Sequence, residues 1–359
     1  MNNEFSIKEI NYIKGIAIIL VFIGHAATPS FLERPYIYEL IVQVIYSFHM
    51  SLFFLVSGFL SYKVIDMNLK KEYFNYIRSK FCRLIVPFLT ISFITNFVIL
   101  ILKYLINEPL TINSLIDMIK TIIIYPENGI MGSLWFLYTL FIVSIISPLI
   151  IKLPIKITFT VSLLLNILVP PYKNFLSFSR ISFFLIYFLI GLYYRKYYFN
   201  NKKIIIGSIT TFKKIIICII SLISIFYYSY IIANQIYIYR YILSILNFLC
   251  GLFGMIFILM FIDLIKHFKI CEKILSFLGR YSLDIYLLSW FFQIASMILI
   301  TKILKLTNYN VFFINNIVIG SLCIPFSIYI LRRFEILKLL LLGEKSLKNS
   351  SIKSLNFNK

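Results

Sequence analysis

The hydrophobic residues of this chain cluster in long segments that are separated by short polar stretches. A helix needs ~20 mostly apolar residues to cross the hydrocarbon layer of a bilayer. Segments of about that length recur near residues 12–31, 44–62, 84–106, 132–151, 155–171, 176–194, 215–233, 241–262, 281–301 and 311–331. The pattern therefore predicts an all-α membrane protein, a polytopic bundle of about ten transmembrane helices.

The fifth and sixth segments are the shortest and the most interrupted. Pro170 and Pro171 break the fifth, and Arg180 lies within the sixth. Proline removes a helix hydrogen bond, and a charge in lipid needs a partner or water. Two ordinary passes or one broken, tilted pair both fit this part of the sequence.

Composition supports a membrane domain and excludes a large soluble one. The 359 residues are 60% hydrophobic and 14% charged, with a mean hydropathy of +0.91. A soluble chain of this size could not bury so much apolar surface. We predict one transmembrane domain over residues 1–340 and a basic cytoplasmic tail over residues 341–359, rich in Lys, Ser and Asn from Lys345 onward.

The formal net charge of +21 is explained by topology. Lys and Arg are retained on the cytoplasmic side of short membrane loops. With the N-terminus inside, 27 of the 35 basic residues fall in inside segments and 8 in outside segments. This split predicts an even number of passes with both termini cytoplasmic, and nucleic-acid binding is not needed to explain the charge. The five cysteines are scattered and show no metal-ligand spacing.

The first helix carries a cation and an imidazole on one face. Lys14 and His25 are 11 residues apart, which places them about 20° apart around the helix and about 16 Å apart along it. This geometry suits a donor with an anionic head at the cytoplasmic rim and a reactive end deep in the bilayer, such as acyl-coenzyme A. A neutral histidine there can take a proton from an acceptor hydroxyl. Alternatively, Lys14 is an interfacial anchor and His25 bonds a neighbouring helix.

Two further residues are candidates for the same chemistry. His49 lies at the start of the second helix, where it can orient the acceptor or handle a second proton; it can equally be a hydrogen-bonded interface residue. Arg83 lies near the cytoplasmic end of the third helix, as a phosphate ligand or as a basic anchor. We thus treat His25 and His49 as candidate catalytic residues, and Lys14 and Arg83 as candidate ligands of the donor.

Three weaker candidates and one acid complete the set. Trp135, Tyr138 and Arg180 are candidate residues of a substrate tunnel, although aromatic residues make up 18% of the chain and commonly pack or anchor. Asp284 follows Arg280 by four residues, a spacing that predicts a structural ion pair on one helix. No metal site is predicted.

Five motifs in order resemble those of one protein family. The first is the run from Lys14 to His25, with Gly15 after the cation. The others are the segments 48–59 (FHMSLFFLVSGF), 83–87 (RLIVP), 133–137 (SLWFL) and 281–287 (YSLDIYL). Together they resemble the acyltransferase-3 family of integral membrane O-acyltransferases. This chain has Lys where that family more often has Arg, and Ser289 where members often have His.

The resemblance implies a function. It implies that Lys14 contacts the phosphate of coenzyme A and that His25 acts in acyl transfer. The expected activity moves an acyl group, most simply acetyl, from cytoplasmic acyl-coenzyme A to a hydroxyl of a carbohydrate acceptor on the cell envelope. Acyl-coenzyme A is then a substrate, and no permanently bound cofactor is expected.

The expected setting is the plasma membrane of a bacterium, with membrane lipid around the bundle. Family members often carry an extracytoplasmic domain that completes transfer, so a separate extracytoplasmic acyltransferase is an expected partner. The alternative function is a lipid-linked sugar flippase or polysaccharide exporter. That alternative predicts several charges along a path through many helices, and deep charges are sparse in this sequence.

Overall fold

The chain folds into helices throughout the residues that the structure describes. The structure, a computed structural model, describes residues 7–27, 32–66, 71–105, 112–170, 175–199 and 209–344. The α-helices are α1 (Ile7–Ala26), α2 (Tyr36–Tyr46), α3 (His49–Leu60), α4 (Lys71–Lys80), α5 (Val86–Leu105), α6 (Ile112–Ile123), α7 (Trp135–Ile150), α8 (Ile155–Leu168), α9 (Phe178–Tyr194), α10 (Thr211–Ala233), α11 (Arg240–Ile265), α12 (Lys269–Arg280), α13 (Ser282–Ile298), α14 (Tyr309–Ser321), α15 (Cys323–Tyr329) and α16 (Glu335–Leu342). No strand occurs among these residues. The predicted all-α membrane fold is confirmed.

Nine helical segments in the described ranges are long and apolar enough to cross a membrane. They are Lys8–Ala26, Tyr36–Leu60, Glu72–Ile101, Gly132–Ile150, Phe175–Tyr197, Thr211–Ala233, Arg240–Ile265, Ser282–Ile303 and Tyr309–Arg333. Each matches one of the ten predicted segments. The remaining segment, predicted at 155–171, is the 14-residue helix α8, which is about 21 Å long and shorter than a ~30 Å hydrocarbon layer.

Helix α8 nevertheless packs lengthwise against its longer neighbour α9. Phe159 near its start contacts Tyr193 at the end of α9, with ring centroids 5.4 Å apart. Asn166 near its end donates a hydrogen bond of 2.7 Å to the carbonyl of Phe183 at the start of α9. The two helices are therefore antiparallel, and α8 supplies the tenth pass.

Contacts between helix ends define two faces of the bundle. At the face where α1 begins, here the N-terminal face, Lys14 of α1 lines a cavity with Arg83, and Arg83 pairs with Glu344 after α16 at 3.3 Å. At the opposite face, the hydroxyl of Tyr309 donates to the carbonyl of Ala27 at 2.6 Å. The chain enters α1 and leaves α16 at the same face, as an even number of passes requires. The distribution of basic residues predicts that the N-terminal face is cytoplasmic.

Glycines allow the helices around the predicted site to pack closely. A Cβ atom at Gly58 of α3 would collide with the backbone of Phe188 in α9, and one at Gly191 would collide with that of Leu55. In the same way, a Cβ atom at Gly15 would collide with the backbone of Leu275 in α12. Small residues let membrane helices approach in this manner. Gly15 thus fixes α1 against α12 one residue after Lys14.

The predicted domain boundary at residue 340 falls inside α16, and the boundary stays a prediction. The tail from Lys345 onward lies outside the described residues. Helix α6 is amphipathic: Ile119 is 52% exposed and Ile122 is 4% exposed. One face of α6 packs on the protein and the other is left for the surroundings.

Candidate active site

A cavity of about 200 Å³ near the N-terminal face brings three cations together. Lys14 comes from α1, Lys80 is the last residue of α4, and Arg83 lies in the segment that joins α4 to α5. The rest of the lining is mostly apolar and comes from α3, α7, α13 and Leu84. We call this the cationic cavity. Both residues predicted to bind the donor, Lys14 and Arg83, line it.

The backbone after Lys80 widens into one π-helical turn, Phe81–Ile85. Pro87 explains the widening, because it has no N–H to donate to the carbonyl of Arg83 and its ring would clash there in a regular α-helix. Such turns are frequent at functional sites. Here the turn carries Arg83 into the cavity lining three residues after Lys80.

The charges in the cationic cavity are only partly compensated. No Asp or Glu lines it, and in the described part of the chain no carboxylate pairs with Lys14 or Lys80. Lys80 donates to the hydroxyl of Ser61 at 3.1 Å. Arg83, with 51% of its side chain exposed, pairs with Glu344. Repulsion among the cations falls when an anion binds, so the cavity is suited to phosphate groups.

A second cavity of about 410 Å³ lies deeper in the bundle and contains both candidate catalytic histidines. His25 of α1 and His49 of α3 line it, and Tyr46 lies between them. The ring centroid of Tyr46 is 6.3 Å from that of His25 and 5.2 Å from that of His49. We call this the histidine cavity. The sequence separates these imidazoles by 24 positions, and the fold places them in one cavity.

The hydrogen bond of His49 fixes which of its nitrogens can act as a base. Its Nδ1 lies 2.7 Å from the carbonyl oxygen of Ile45. A carbonyl oxygen only accepts, so Nδ1 carries the hydrogen and the neutral ring keeps its lone pair on Nε2. His49 is 6% exposed and buried at the start of α3. It is therefore held as a proton acceptor in a sheltered site.

Tyr286 of α13 separates the two cavities and lines both. Its hydroxyl donates to the carbonyl of Ser133, and its ring packs edge-on against Phe136 at 5.6 Å. The sequence showed Tyr286 only as part of a motif. The structure therefore places Tyr286 between the two cavities.

Two of the three candidate tunnel residues line the histidine cavity, and the third does not. Trp135 and Arg180 both line the histidine cavity, and the guanidinium carbon of Arg180 lies 4.8 Å from the ring centroid of Trp135. Arg180 also pairs with Glu127 at 3.3 Å. Tyr138 instead packs against Phe88 at 5.7 Å and is not among the residues that line the two cavities.

The predicted ion pair between Asp284 and Arg280 is wrong, because Asp284 pairs with a different arginine. The carboxylate of Asp284, 2% exposed, receives hydrogen bonds of 2.8 and 2.9 Å from Arg332. Arg280, which the helical spacing suggested, is exposed. Arg332 lies 48 residues further along the chain, so local spacing could not reveal it. The pair joins α13 to the last pass.

Lys80 is the functional candidate that the sequence interpretation missed. It stood among many basic residues of the N-terminal face and looked like an anchor. Lys80 lies three residues before Arg83, and residues three apart share a helix face. This spacing was the one feature of the sequence that could have linked Lys80 to the predicted donor ligand Arg83. Only the packing of this segment against α1 shows that Lys80 and Lys14 line one cavity.

Comparison with known proteins agrees with the ordered motifs. The Acyl_transf_3 family, described as an acyltransferase domain, matches residues 7–333. Neither the comparison with curated proteins nor that with solved structures gave a match. The family match covers most of the 359 residues and includes every helix that lines the two cavities. The chain belongs to the acyltransferase-3 family and is a multi-pass membrane acyltransferase.

Proposed function

We propose that this protein moves an acyl group, most simply acetyl, from acyl-coenzyme A at the N-terminal face to a hydroxyl of an envelope polysaccharide. The observation that carries the proposal is the order of the site along the bundle. The cationic cavity lies towards the N-terminal face, the histidine cavity lies deeper, and Tyr286 lies between them. An anionic donor head and a distant reactive thioester match this order.

The donor binds by its phosphates. Lys14, Lys80 and Arg83 offer three cationic groups within one cavity, and charge-assisted hydrogen bonds to phosphate are among the stronger polar contacts. The carboxylate of Glu344 is displaced from Arg83 when a phosphate arrives. Lysine meets phosphate as a point charge, so Lys14 needs no bidentate geometry.

The reaction takes place at the histidines. His25 takes the proton of the acceptor hydroxyl while the hydroxyl oxygen attacks the thioester carbonyl. The C–S bond breaks as the new ester C–O bond forms, and the proton passes to the departing thiolate to give coenzyme A. His49, with its lone pair on Nε2, accepts a hydrogen bond from the acceptor and orients it. Burial of His49 and the position of His25 in the same cavity limit the access of water that would hydrolyse the thioester.

The acceptor reaches the histidine cavity from the face opposite the N-terminal one. We propose a bacterial plasma membrane as the location and a surface polysaccharide as the acceptor, acylated directly or through a separate extracytoplasmic acyltransferase. No resident cofactor takes part in this scheme.

The test compares ester content of the surface polysaccharide in cells that carry wild-type protein, Lys14→Ala or His25→Ala at equal membrane abundance. Lys152→Ala is the matched control, because Lys152 is an exposed cation that follows α7 at the N-terminal face. We expect ester to disappear in His25→Ala, to fall in Lys14→Ala because the donor binds more weakly, and to persist in the control. Unchanged ester in His25→Ala would overturn the proposal. Loss of export at constant ester per repeat would instead support the flippase alternative.

A further inference from the structure

A third cavity of about 310 Å³ adjoins the histidine cavity. The two share Tyr46, Met50, Arg180 and Phe184 as lining residues. The third cavity extends from there to the first turns of α11, where Arg240 lines it. We call it the arginine cavity. Its far end lies at the face opposite the N-terminal one, because Arg240 donates to the carbonyl of Leu168 at the end of α8 at 2.6 Å.

The lining of the arginine cavity is cationic and rich in hydrogen-bonding groups. Arg180 and Arg240 are its charged residues, and no acid lines it. Its other polar lining residues are Tyr46, Ser47, Ser51, Asn166, Ser179, Tyr228, Ser244 and Asn247. Hydroxyls and amides of this kind hydrogen-bond sugars, but sugars do not require two guanidinium groups. The arginines therefore indicate an additional, anionic feature of the ligand.

A carboxylate compensates the positive charge of only one of the two arginines in the described ranges. Glu127 pairs with Arg180 at 3.3 Å, which leaves that pair with no net charge. Within the described ranges no carboxylate pairs with Arg240, and its Nε–H is buried without a hydrogen-bond acceptor. The cavity thus keeps one uncompensated positive charge close to Arg240. Burying such a donor without an acceptor costs free energy that an anion would recover.

A second buried atom also lacks a partner. Asn166 is 3% exposed, and its amide nitrogen donates to the carbonyl of Phe183. Its Oδ1 is buried and accepts no hydrogen bond from any described residue. Asn166 and Arg240 line the same cavity. One donor and one acceptor are therefore left for a ligand that has both anionic oxygens and hydroxyl groups.

We infer that the arginine cavity binds a phosphate or carboxylate group of the acceptor, so that the acceptor is an acidic glycan rather than a neutral one. This inference rests on the proposed function. The anionic group lies between Arg240 and Arg180, a sugar hydroxyl donates to Asn166 Oδ1, and the hydroxyl to be acylated extends past Tyr46 into the histidine cavity. Arg180, which lines both cavities, connects the two parts of the acceptor site.

The test measures anion binding by the full-length protein in phosphatidylcholine nanodiscs. Inorganic phosphate, and in a parallel series glucuronate, is titrated while the thermal midpoint is followed. Saturating coenzyme A is present throughout, so that the cationic cavity is already occupied. We expect at least one of the two anions to raise the midpoint, with an apparent Kd that increases about tenfold or more in Arg240→Gln.

Arg240→Lys and Lys152→Gln are the matched controls. Arg240→Lys keeps the charge and should recover part of the affinity, while Lys152→Gln removes an exposed cation elsewhere and should leave the Kd unchanged. Failure of both anions to bind, or an equal Kd in Arg240→Gln, would overturn the inference. The midpoint shift caused by coenzyme A alone reports separately on the donor side, so failure of the proposed donor is distinguishable.

Two further arms assign the anion to its source. If phosphatidic acid in the nanodisc abolishes phosphate binding in the wild type, the cavity holds a lipid headgroup and the acceptor assignment fails. In cells, ester content of the polysaccharide should fall in Arg240→Gln and recover in Arg240→Lys. Normal ester in Arg240→Gln despite lost anion binding would also contradict the assignment.

Discussion

The cationic cavity and the histidine cavity are built largely by the same helices but have opposite chemical character. Helices α1, α3, α7 and α13 contribute to both. Towards the N-terminal face they combine with the segment around Lys80 to collect fixed positive charges. Deeper in the bundle they present two imidazoles among aromatic rings. In the proposed scheme, position along a shared set of helices therefore separates binding of the donor from chemistry on it.

The difference also explains where the protein tolerates charge. A lysine or arginine charge near the aqueous rim costs less than one buried in the hydrocarbon region. A neutral imidazole such as His49, fixed by the carbonyl of Ile45, can exchange protons there without a permanent charge. The following four predictions test this separation, from the largest expected effect to the smallest.

His25→Ala should abolish chemistry and spare donor binding. Removing a general base lowers the rate of proton transfer by about 10²- to 10⁴-fold. The lysines and arginine of the cationic cavity are unchanged in this variant. The measurement is acyl transfer from radiolabelled acetyl-coenzyme A, beside the thermal shift that coenzyme A produces. Loss of the thermal shift together with activity would show that His25 supports the fold or the donor instead.

Lys14→Ala should have the reverse effect. Loss of one charge-assisted contact weakens binding of coenzyme A roughly 10- to 100-fold and leaves the rate at saturating donor nearly unchanged. Lys14→Arg is the matched variant and should bind normally, since a phosphate accepts either cation. An affinity that Lys14→Ala leaves intact would remove Lys14 from the donor site.

Lys80→Ala tests the cation that the sequence interpretation missed. We expect about a tenfold rise in KM for the donor, because Lys80 lines the cavity beside Lys14. Lys152→Ala, at an exposed position of the same face, controls for the general loss of positive charge. If both variants raise KM equally, the surface potential and not the cavity attracts the donor.

Tyr286→Phe should produce the smallest change. The ring still separates the cavities, but the hydrogen bond to the carbonyl of Ser133 is lost, and a net contribution of about 1 kcal/mol corresponds to roughly a fivefold effect on transfer. Tyr286→Ala opens the wall and should raise hydrolysis of the thioester relative to transfer. Equal hydrolysis in the two variants would show that Tyr286 does not divide the cavities.

Much of the fold was predictable because its main determinants are local. Ten hydrophobic segments follow from the ~20 residues that a bilayer demands, and only α8 is clearly shorter than that length. The face shared by Lys14 and His25 follows from helix geometry. The second pass begins at Tyr36, before the predicted start at residue 44, and it is broken at Ser47 and Phe48 into α2 and α3; the sequence pattern did not show this break.

The rest of the site depends on contacts between distant parts of the chain. Asp284 pairs with Arg332 and not with Arg280. Lys80 and Lys14 line one cavity although more than 60 positions separate them in the sequence. Helical periodicity shows which residues share a face but not which helix that face meets. The adjoining cavities, and the position of Tyr286 between two of them, depend on which helices pack together.

The central claim is that the donor binds at the N-terminal face and the acyl group is delivered towards the opposite one. Sealed inside-out membrane vesicles present the cytoplasmic face to added radiolabelled acetyl-coenzyme A, which does not cross the membrane. We predict that wild-type vesicles accumulate label on polysaccharide in their lumen, that Lys14→Ala vesicles do so only at a higher donor concentration, that His25→Ala vesicles do not, and that right-side-out vesicles remain unlabelled. Equal labelling in right-side-out vesicles, or in His25→Ala vesicles, would contradict the account.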